Sequence, residues 1–363
     1  MTREFRSTAG TPFERGLEFG TANREQIARN IGIYRARFDT LAGGSFNVIP
    51  AGQQALAATQ DFAPELHAEM LGLAEGAAVE PAIIGALNAR TEILAMLKAP
   101  QRGECSAVIY LPHDGGPPRA AQTWDWAYVS RDSWLVWEIP LADGSTTKTM
   151  TEYGIVGKAG LNTKGLGLLF TILHHQADGQ RIGVPVHIAA RAALDGGRTL
   201  AAAAQILVRA AVSASSSINL MSFEGGTGMA MTVELYPGGP GFVLPEANGV
   251  LVHTNHFLAP EPARCDTEPK LFPDTLLRRD ILMRSLARMN DPSTEDILRV
   301  MASHVGQDGA VCCHHNPAIP IGEQYETLST VIPDVASGTL RVLDGGPCHH
   351  VKEHHKLSRV AAE

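Results

Sequence analysis

The sequence has no excess of positive charge and no long apolar run. Its 363 residues carry 30 Lys and Arg against 38 Asp and Glu, which gives a formal net charge of -8 and a pI near 6.0. A polyanion partner requires a basic stripe that neutralises phosphates, so we expect no nucleic-acid partner. No run of about 18 apolar residues occurs, so we expect no membrane partner and no membrane span.

Cysteine is scarce and odd in number. Five cysteines are spread along the chain at Cys105, Cys265, Cys312, Cys313 and Cys348. This spacing is not that of a disulfide framework, and an odd count predicts at least one free thiol. The opening residues, Met1 to Arg6, also lack the apolar stretch of a secretion signal. We therefore expect a cytoplasmic protein.

The residues before Cys105 predict a different secondary structure from those after it. Apolar residues recur at helical spacing in 20–40, 51–73 and 81–97, and this predicts a helical N-terminal section. Pro100 and Gly103 then predict an exposed loop ahead of Cys105. We expect a helical segment over 1–104 and a catalytic segment over 105–363, both within one structural domain.

Short β-branched and aromatic runs follow Cys105, separated by turn residues. They predict strands near 106–111, 119–124, 134–139, 148–153, 166–172, 217–223, 229–236, 241–245, 249–254, 326–333 and 339–343. Helices are predicted at 186–194, 200–212, 274–288 and 294–304. Because the helices are grouped rather than alternating singly with strands, the pattern predicts an α+β fold of two antiparallel sheets between helical layers.

Cys105 stands at the first residue of a predicted strand, and the returning strand carries Asp125. If the chain were cut before Cys105, the new α-amino group would titrate near 7.7–8.0, close to about 8.5 for a thiol. The residue would then carry its own general base for attack on an acyl carbon. A cysteine before a strand can instead be an ordinary core residue, and the residues alone leave that alternative open.

Six separate stretches carry a resemblance to a known family. They are Cys105-Ser106, Gln122-Thr123-Trp124-Asp125-Trp126, the Gly-rich stretch 151–165, Ser215-Ser216-Ser217-Ile218-Asn219, His253-Thr254-Asn255-His256-Phe257 and Gly345-Gly346-Pro347-Cys348. In order and spacing they resemble the acyl-coenzyme A:6-aminopenicillanate acyltransferase family of self-cleaving Ntn hydrolases, the C45 type. The resemblance implies the αββα sandwich of that family.

The resemblance also implies residue roles. Cys105 would be the nucleophile, released by cleavage after Glu104. Asp125 would orient the α-amine, and Asn255 would donate an N–H to the oxyanion of the tetrahedral intermediate. Candidates for lining the site are Ser106, Trp124, Glu152 and His256, with Glu152 paired to a cation.

Three departures from the family pattern affect what can be transferred. Cys312-Cys313-His314-His315 falls where the family tends to show a single Cys and a basic residue. Glu104 precedes the nucleophile where the acyltransferase has Gly, which changes the surroundings of the scissile bond. Thr123 replaces an Asn in the segment that contains Asp125. The rate of self-cleavage and the acyl donor are therefore left open.

Histidine pairs offer a competing interpretation as a metal site. Cys312-Cys313-His314-His315 and the segment from Cys348 to His355 combine sulfur with imidazole, which suits Zn²⁺. No CxxC or HExxH motif is present, so we expect neither a physiological metal nor any other cofactor.

These observations together predict an autoprocessing cysteine amidohydrolase or acyltransferase. It would form a thioester on Cys105 and transfer the acyl group from a small-molecule amide or thioester to water or an amine. Whether the processed heterodimers assemble into a homo-oligomer is left open. The alternative functions are an uncleaved cysteine amidase with a His base, and a catalytically inactive metal-binding or scaffold protein.

Overall fold

The computed structural model describes residues 3–98 and 105–351. The section before Cys105 is helical, as its periodicity predicts. Its helices are α1 (Pro12–Ala22), α2 (Arg24–Ala42), α3 (Ile49–Phe62), α4 (Pro64–Ala77), α5 (Pro81–Asn88) and α6 (Arg90–Met96). The helix predicted over 51–73 is in fact two helices, because Pro64 lacks an N–H and begins α4 at its first position.

The strands fall close to the predicted runs, with two additions. They are β1 (Glu4–Arg6), β2 (Ser106–Tyr110), β3 (Arg119–Ala127), β4 (Trp134–Pro140), β5 (Thr146–Glu152), β6 (Ala159–Asn162), β7 (Leu166–Ile172), β8 (Ser216–Glu224), β9 (Thr227–Tyr236), β10 (Gly239–Val243), β11 (Val250–His253), β12 (Tyr325–Asp334) and β13 (Thr339–Asp344). The additions are β1 and β6, which have three and four residues and are too short to show a period of two.

Helices also follow the strand groups. They are α7 (Val186–Gly196), α8 (Leu200–Val208), α9 (Pro260–Ala263), α10 (Glu268–Leu271), α11 (Asp274–Leu286) and α12 (Thr294–Met301). Within the described residues no helix is both long enough and apolar enough to cross a membrane.

The strands form two sheets. The larger sheet has the order β1-β4-β5-β6-β7-β8-β9-β10, and the smaller has the order β11-β2-β3-β12-β13. Pairing is antiparallel except between β1 and β4. Through this parallel pair, β1 forms the edge of the larger sheet beside β4, a strand that follows Cys105 in sequence.

The two sheets face each other and are covered by helices. Side chains of β2 and β3 share one core with β6 and β7, and the opposite face of β2 packs against α11 and α12. Helices α7 and α8 contact the larger sheet. The predicted α+β class, with two sheets between helical layers, is confirmed.

The strand register brings distant parts of the chain to one end of the smaller sheet. Ser106 lies opposite Thr123, and His253 lies opposite Ala107. Since β2 begins where β11 ends, Cys105 and Asn255 are neighbours across the pair. On the far side of β3, Asp125 pairs with Thr327 of β12, beside a register shift.

Candidate active site

Cys105 is held through its backbone at the start of β2. Its N–H donates to Asn255 Oδ1 over 3.0 Å, and its carbonyl accepts a bond of 2.8 Å from Arg278 Nη1. The residue is only 3% exposed. Burial raises the pKa of its thiol to about 11, and the charge of Asp125 adds to the rise. In this environment the thiol is protonated at neutral pH.

Asn255 directs its amide oxygen at Cys105. That oxygen accepts from the Cys105 N–H and also from Arg278 Nη2, at 2.9 Å. The amide nitrogen donates to the carbonyl of Ile172 at 2.9 Å, which engages one of its two N–H groups. The sequence predicts that Asn255 donates an N–H to an oxyanion. The second N–H of its amide, which does not donate to Ile172, is the group that would fill this role.

Asp125 is fully buried on β3. Burial raises the pKa of its carboxyl to about 7, although hydrogen bonds from Thr327 and Thr123 and the charge of Arg278 oppose the rise. Its Oδ1 has no hydrogen-bond partner among the described residues. The carboxyl therefore has unused acceptor capacity beside the strand that follows Cys105.

Arg278 is a site residue that sequence reasoning missed. It lies on α11 and is fully buried. Its guanidinium joins the Cys105 carbonyl, Ser106 Oγ at 3.1 Å and Asn255 Oδ1, and its Nε reaches Asp274 Oδ2 at 3.2 Å. A planar fork of five donors is suited to holding several acceptors in fixed positions. Ser106, a candidate lining residue, is thus an Arg278 partner.

A second buried group of charges lies next to Trp124. Glu152 accepts from Lys158 Nζ at 2.7 Å and from Arg90 Nε at 3.1 Å, and Arg90 Nη2 lies 2.9 Å from the same carboxylate oxygen. Burial alone would raise the pKa of Glu152, but these two cations lower it to about 2. Burial lowers the pKa of Lys158 to about 7, and its Nζ lies 3.6 Å from the centre of the Trp124 ring.

Lys158 is the second residue that the sequence analysis passed over. Its charge opposes the rise in the Cys105 thiol pKa, so the ammonium lies near enough to favour the thiolate. Lys158 follows Gly157 in the Gly-rich stretch 151–165, whose glycines indicate turns. Glu152 pairs with cations, yet it does so among Lys158, Arg90 and Tyr34 rather than at Cys105 itself.

His256 and Glu104 complete the predicted set. The Nδ1 of His256 lies 3.1 Å from Thr254 Oγ1 and 3.0 Å from Thr275 Oγ1. Burial first, and then the charges of His253, Arg279 and Arg278, lower its pKa to about 3, so the ring is neutral. Glu104, and with it the bond to be cut, lies outside the described residues.

A cavity of about 890 Å³ lies close to this site. It is lined by parts of α2 and the chain from Trp126 to Ser130, and by residues before and within β12, including Cys313 and Tyr325. Tyr34 connects it to the site, because it lines the cavity and donates to Glu152 at 2.5 Å. The wall is mostly apolar, with Arg29 and Arg37 as cations.

Comparisons with known proteins agree with the sequence resemblance. The family model for acyl-coenzyme A:6-aminopenicillanic acid acyl-transferase matches residues 118–343, a range that contains Asp125, Asn255 and Arg278 and begins after Cys105. A curated relative is the acyl-coenzyme A:6-aminopenicillanic-acid-acyltransferase 40 kDa form of Emericella nidulans. It is 29% identical over 254 residues, which is 69% of this chain and 68% of the relative.

A solved structure is also similar to this chain. It is penicillin V acylase from Agrobacterium tumefaciens, with a TM-score of 0.45 and 15% identity over 66% of this chain and 83% of that one.

The matched family model defines the class of this protein as an enzyme of the acyltransferase type. More specifically, the chain belongs to the acyl-coenzyme A:6-aminopenicillanic acid acyl-transferase family, whose model covers more than half of it.

Proposed function

We propose that this chain is a self-processing cysteine enzyme, cut between Glu104 and Cys105, that moves an acyl group through a thioester on Cys105. The observation that carries the proposal is the hydrogen bond of 3.0 Å from the Cys105 N–H to Asn255 Oδ1. This nitrogen belongs to the bond that would be cut, and Asn255 would hold it throughout. A buried backbone N–H needs an acceptor in any case, and here the acceptor is a side chain that Arg278 also holds in place.

Processing requires the thiol to attack the carbonyl carbon of Glu104. A C–S bond forms and the C–N bond breaks, with the thiol proton passing to the departing nitrogen. Water then hydrolyses the thioester, which leaves a carboxylate on Glu104 and restores the thiol of Cys105. Lys158 supports the first step, because a nearby cation lowers the cost of forming a thiolate from a thiol with a pKa of about 11.

Once released, the α-amine of Cys105 would act as general base for its own thiol. Asn255 Oδ1 already accepts from that nitrogen, and Asp125 would stabilise the ammonium form that arises when the thiol proton is taken up. The thiolate attacks the substrate carbonyl, and the leaving amine or thiol takes a proton from the ammonium. Water or an acceptor amine then releases the acyl group. His256 is less suitable as a base, since its pKa of about 3 leaves it weakly basic.

The cavity supports a substrate class with an apolar acyl group. Its wall includes Ile33, Trp126, Phe272, Ile319 and Tyr325. Of the aromatic residues that flank the predicted site motifs, Trp126 is the one that lines this cavity, whereas Trp124 is buried beneath Lys158. We propose a small-molecule amide or thioester as substrate, with hydrolysis when no acceptor amine is present.

The test is the intact mass of the purified chain under denaturing conditions, for wild type and Cys105→Ala. We expect two wild-type fragments, the larger beginning Cys-Ser-Ala-Val-Ile, and a single chain for the variant. The processed enzyme should then hydrolyse acyl anilides of increasing chain length, with turnover abolished by alkylation of Cys105. An intact wild-type chain that still turns over would instead support the uncleaved amidase.

Two neighbouring arginines give a matched comparison for the site itself. Arg278→Met removes the donor to Cys105 and Asn255, and we expect at least a 100-fold slower processing rate, in line with the loss of a preorganised donor. Arg279→Met removes a bond to the carbonyl of Val252 at 3.2 Å and should leave processing within about twofold. Equal rates in the two variants would contradict the proposed role of Arg278.

A further inference from the structure

Four side chains with metal-binding atoms converge outside the group of reacting residues around Cys105. They are His304, Cys312, His314 and Cys348, and one ligand atom from each lies within 4.8 Å of all the others. Three of the separations can be compared with a coordination geometry. The Nε2 atoms of His304 and His314 are 3.1 Å apart, and His314 Nε2 lies 3.5 Å from Cys348 Sγ and 3.9 Å from Cys312 Sγ.

These separations agree with those around a tetrahedral ion. With bonds of about 2.0 Å to nitrogen and about 2.3 Å to sulfur, two nitrogens would be about 3.3 Å apart and a nitrogen and a sulfur about 3.6 Å apart. Each observed distance is within a few tenths of an ångström of these values. These three separations fit one bound ion, and all four ligand atoms lie within 4.8 Å of one another.

The local backbone brings these ligands together from three segments. His304 follows the end of α12, and the N–H of Cys312 donates to the carbonyl of Ser303 at 3.1 Å, next to His304. Cys348 follows β13. Between them Gly346 packs so tightly that a Cβ there would lie 2.4 Å from Cys312 Sγ. The close approach at Gly346 brings the Cys348 segment to the Cys312 segment.

We propose that His304, Cys312, His314 and Cys348 form a structural site for one Zn²⁺ ion. Two thiolates and two imidazoles in a tetrahedral arrangement are the donor set of such sites, and four protein ligands leave no open position for substrate. Binding would release the two thiol protons to solvent, and no electron is transferred. The site would hold three separate segments together, as a crosslink between them.

This site differs from the one that the sequence pattern suggests. His315 bonds to Glu326 at 2.7 Å, and His350 lies 3.4 Å from Glu295. His315 and His350, which lie in the two Cys/His segments, thus have partners elsewhere. His304 completes the set, and it is separated from Cys312 by a turn that has no recognisable motif. His354 and His355 lie outside the described residues.

The crosslink would act on the active site through Cys313. The N–H of Cys313 donates to Thr327 Oγ1 at 3.0 Å, and the N–H of Thr327 donates to the Cys313 carbonyl at 3.0 Å. Thr327 is the partner of Asp125 in the sheet. Cys313 and His314 also line the cavity. Loss of the ion should therefore loosen both the support of Asp125 and one wall of the cavity.

The test is the metal content of the full chain, expressed without a histidine tag and measured by plasma mass spectrometry. We expect about one zinc per chain in wild type. His304→Gln should lower zinc affinity at least about tenfold, and because His304 is exposed the variant should still fold. Cys265→Ser and the double variant His354→Gln/His355→Gln are controls that should keep the zinc of wild type.

Cobalt provides a second measurement that reports the ligands. Titrating Co²⁺ into the chelator-treated chain should give the thiolate-to-metal absorption of a tetrahedral site, and His304→Gln and Cys348→Ser should each weaken it. The proposal is overturned if zinc is absent and no such band appears, if the band survives both substitutions, or if the native chain contains a Cys312–Cys348 disulfide. Loss of zinc from the tail double variant alone would overturn it too.

Discussion

At the scale of single residues, the burial of Asp125 makes its carboxyl a weaker acid than an exposed aspartate. The carboxyl is buried, one oxygen has no hydrogen-bond partner among the described residues, and burial raises its pKa to about 7. In an unfolded chain the same group titrates near about 3.9. The folded chain therefore binds this proton more tightly than the unfolded chain does.

The raised pKa of Asp125 makes the folded state less stable as the pH rises, and Asp125→Asn should remove this destabilisation. Below about pH 4 both states are protonated and the raised pKa costs nothing, but as the pH rises through about 7 the folded state is destabilised, by on the order of 4 kcal/mol. We expect the variant to gain stability relative to the parent between about pH 4 and 7, with no further gain above. Urea unfolding, with both chains in the Cys105→Ala background, measures this difference. A gap that stays constant with pH would contradict the raised pKa.

Sequence alone predicts those candidate site residues whose types and order are distinctive. Cys105 stands at a strand start, and Asp125 and Asn255 lie in stretches with a recognisable order. Arg278 was not accessible in this way, because it occupies one position of an ordinary helix and gains its partners only when α11 packs on β2. The role of Lys158 likewise depends on the distance to the Trp124 ring, which no spacing along the chain determines.

At the scale of elements, α1 and α4 are in contact through glycines. A Cβ at Gly16 would lie 1.9 Å from the carbonyl oxygen of Glu69, and one at Gly72 would lie 1.9 Å from that of Phe13. These backbone atoms cannot move away as the end of a side chain can, so the two helices lie closer than residues with a Cβ would permit. The helical periodicity predicts part of the α4 region, within 51–73, but it does not predict α1 and carries no information on how closely the two helices approach.

A pair of substitutions tests this helix contact. Gly72→Ala should destabilise the chain by about 1–3 kcal/mol, because the added methyl must push the helices apart. Gly32→Ala, in the interior of α2 where a Cβ meets nothing within 4 Å, should stabilise it by up to about 1 kcal/mol through helix propensity. Thermal and urea unfolding of the two variants should shift in opposite directions. Equal shifts would show that the glycines are interchangeable.

At the scale of the whole molecule, the helical section is attached to the rest of the chain by buried charges. Glu69 of α4 accepts from Arg191 of α7 at 2.8 Å, and it also accepts from Arg15 at 3.0 Å. Arg90 reaches Glu152 in the same way. β1 adds backbone pairing to β4. Separating the two parts would expose these charges without partners, which is costly.

We therefore expect the two fragments produced by cleavage to stay together. They should elute as one particle in size-exclusion chromatography under native conditions and separate only in denaturant. In the same experiment Glu69→Ala should weaken the association, because it removes the carboxylate that Arg15 and Arg191 share, although Arg191 keeps its pair with Asp195 at 2.8 Å; the loss should be at most about 3–5 kcal/mol. Fragments that separate in native buffer from the wild-type chain would contradict this expectation.

The cavity beside the site takes part of its wall from α2, which precedes Cys105, and part from residues that follow it. After cleavage these walls would belong to two different polypeptides. The fragment before Cys105 would then help to determine substrate preference, although it carries no nucleophile and is not covalently bonded to the fragment that does. Exchanging that piece between relatives, by refolding the fragments in new combinations, would vary the choice of acyl group while the reacting groups on the other fragment stay unchanged.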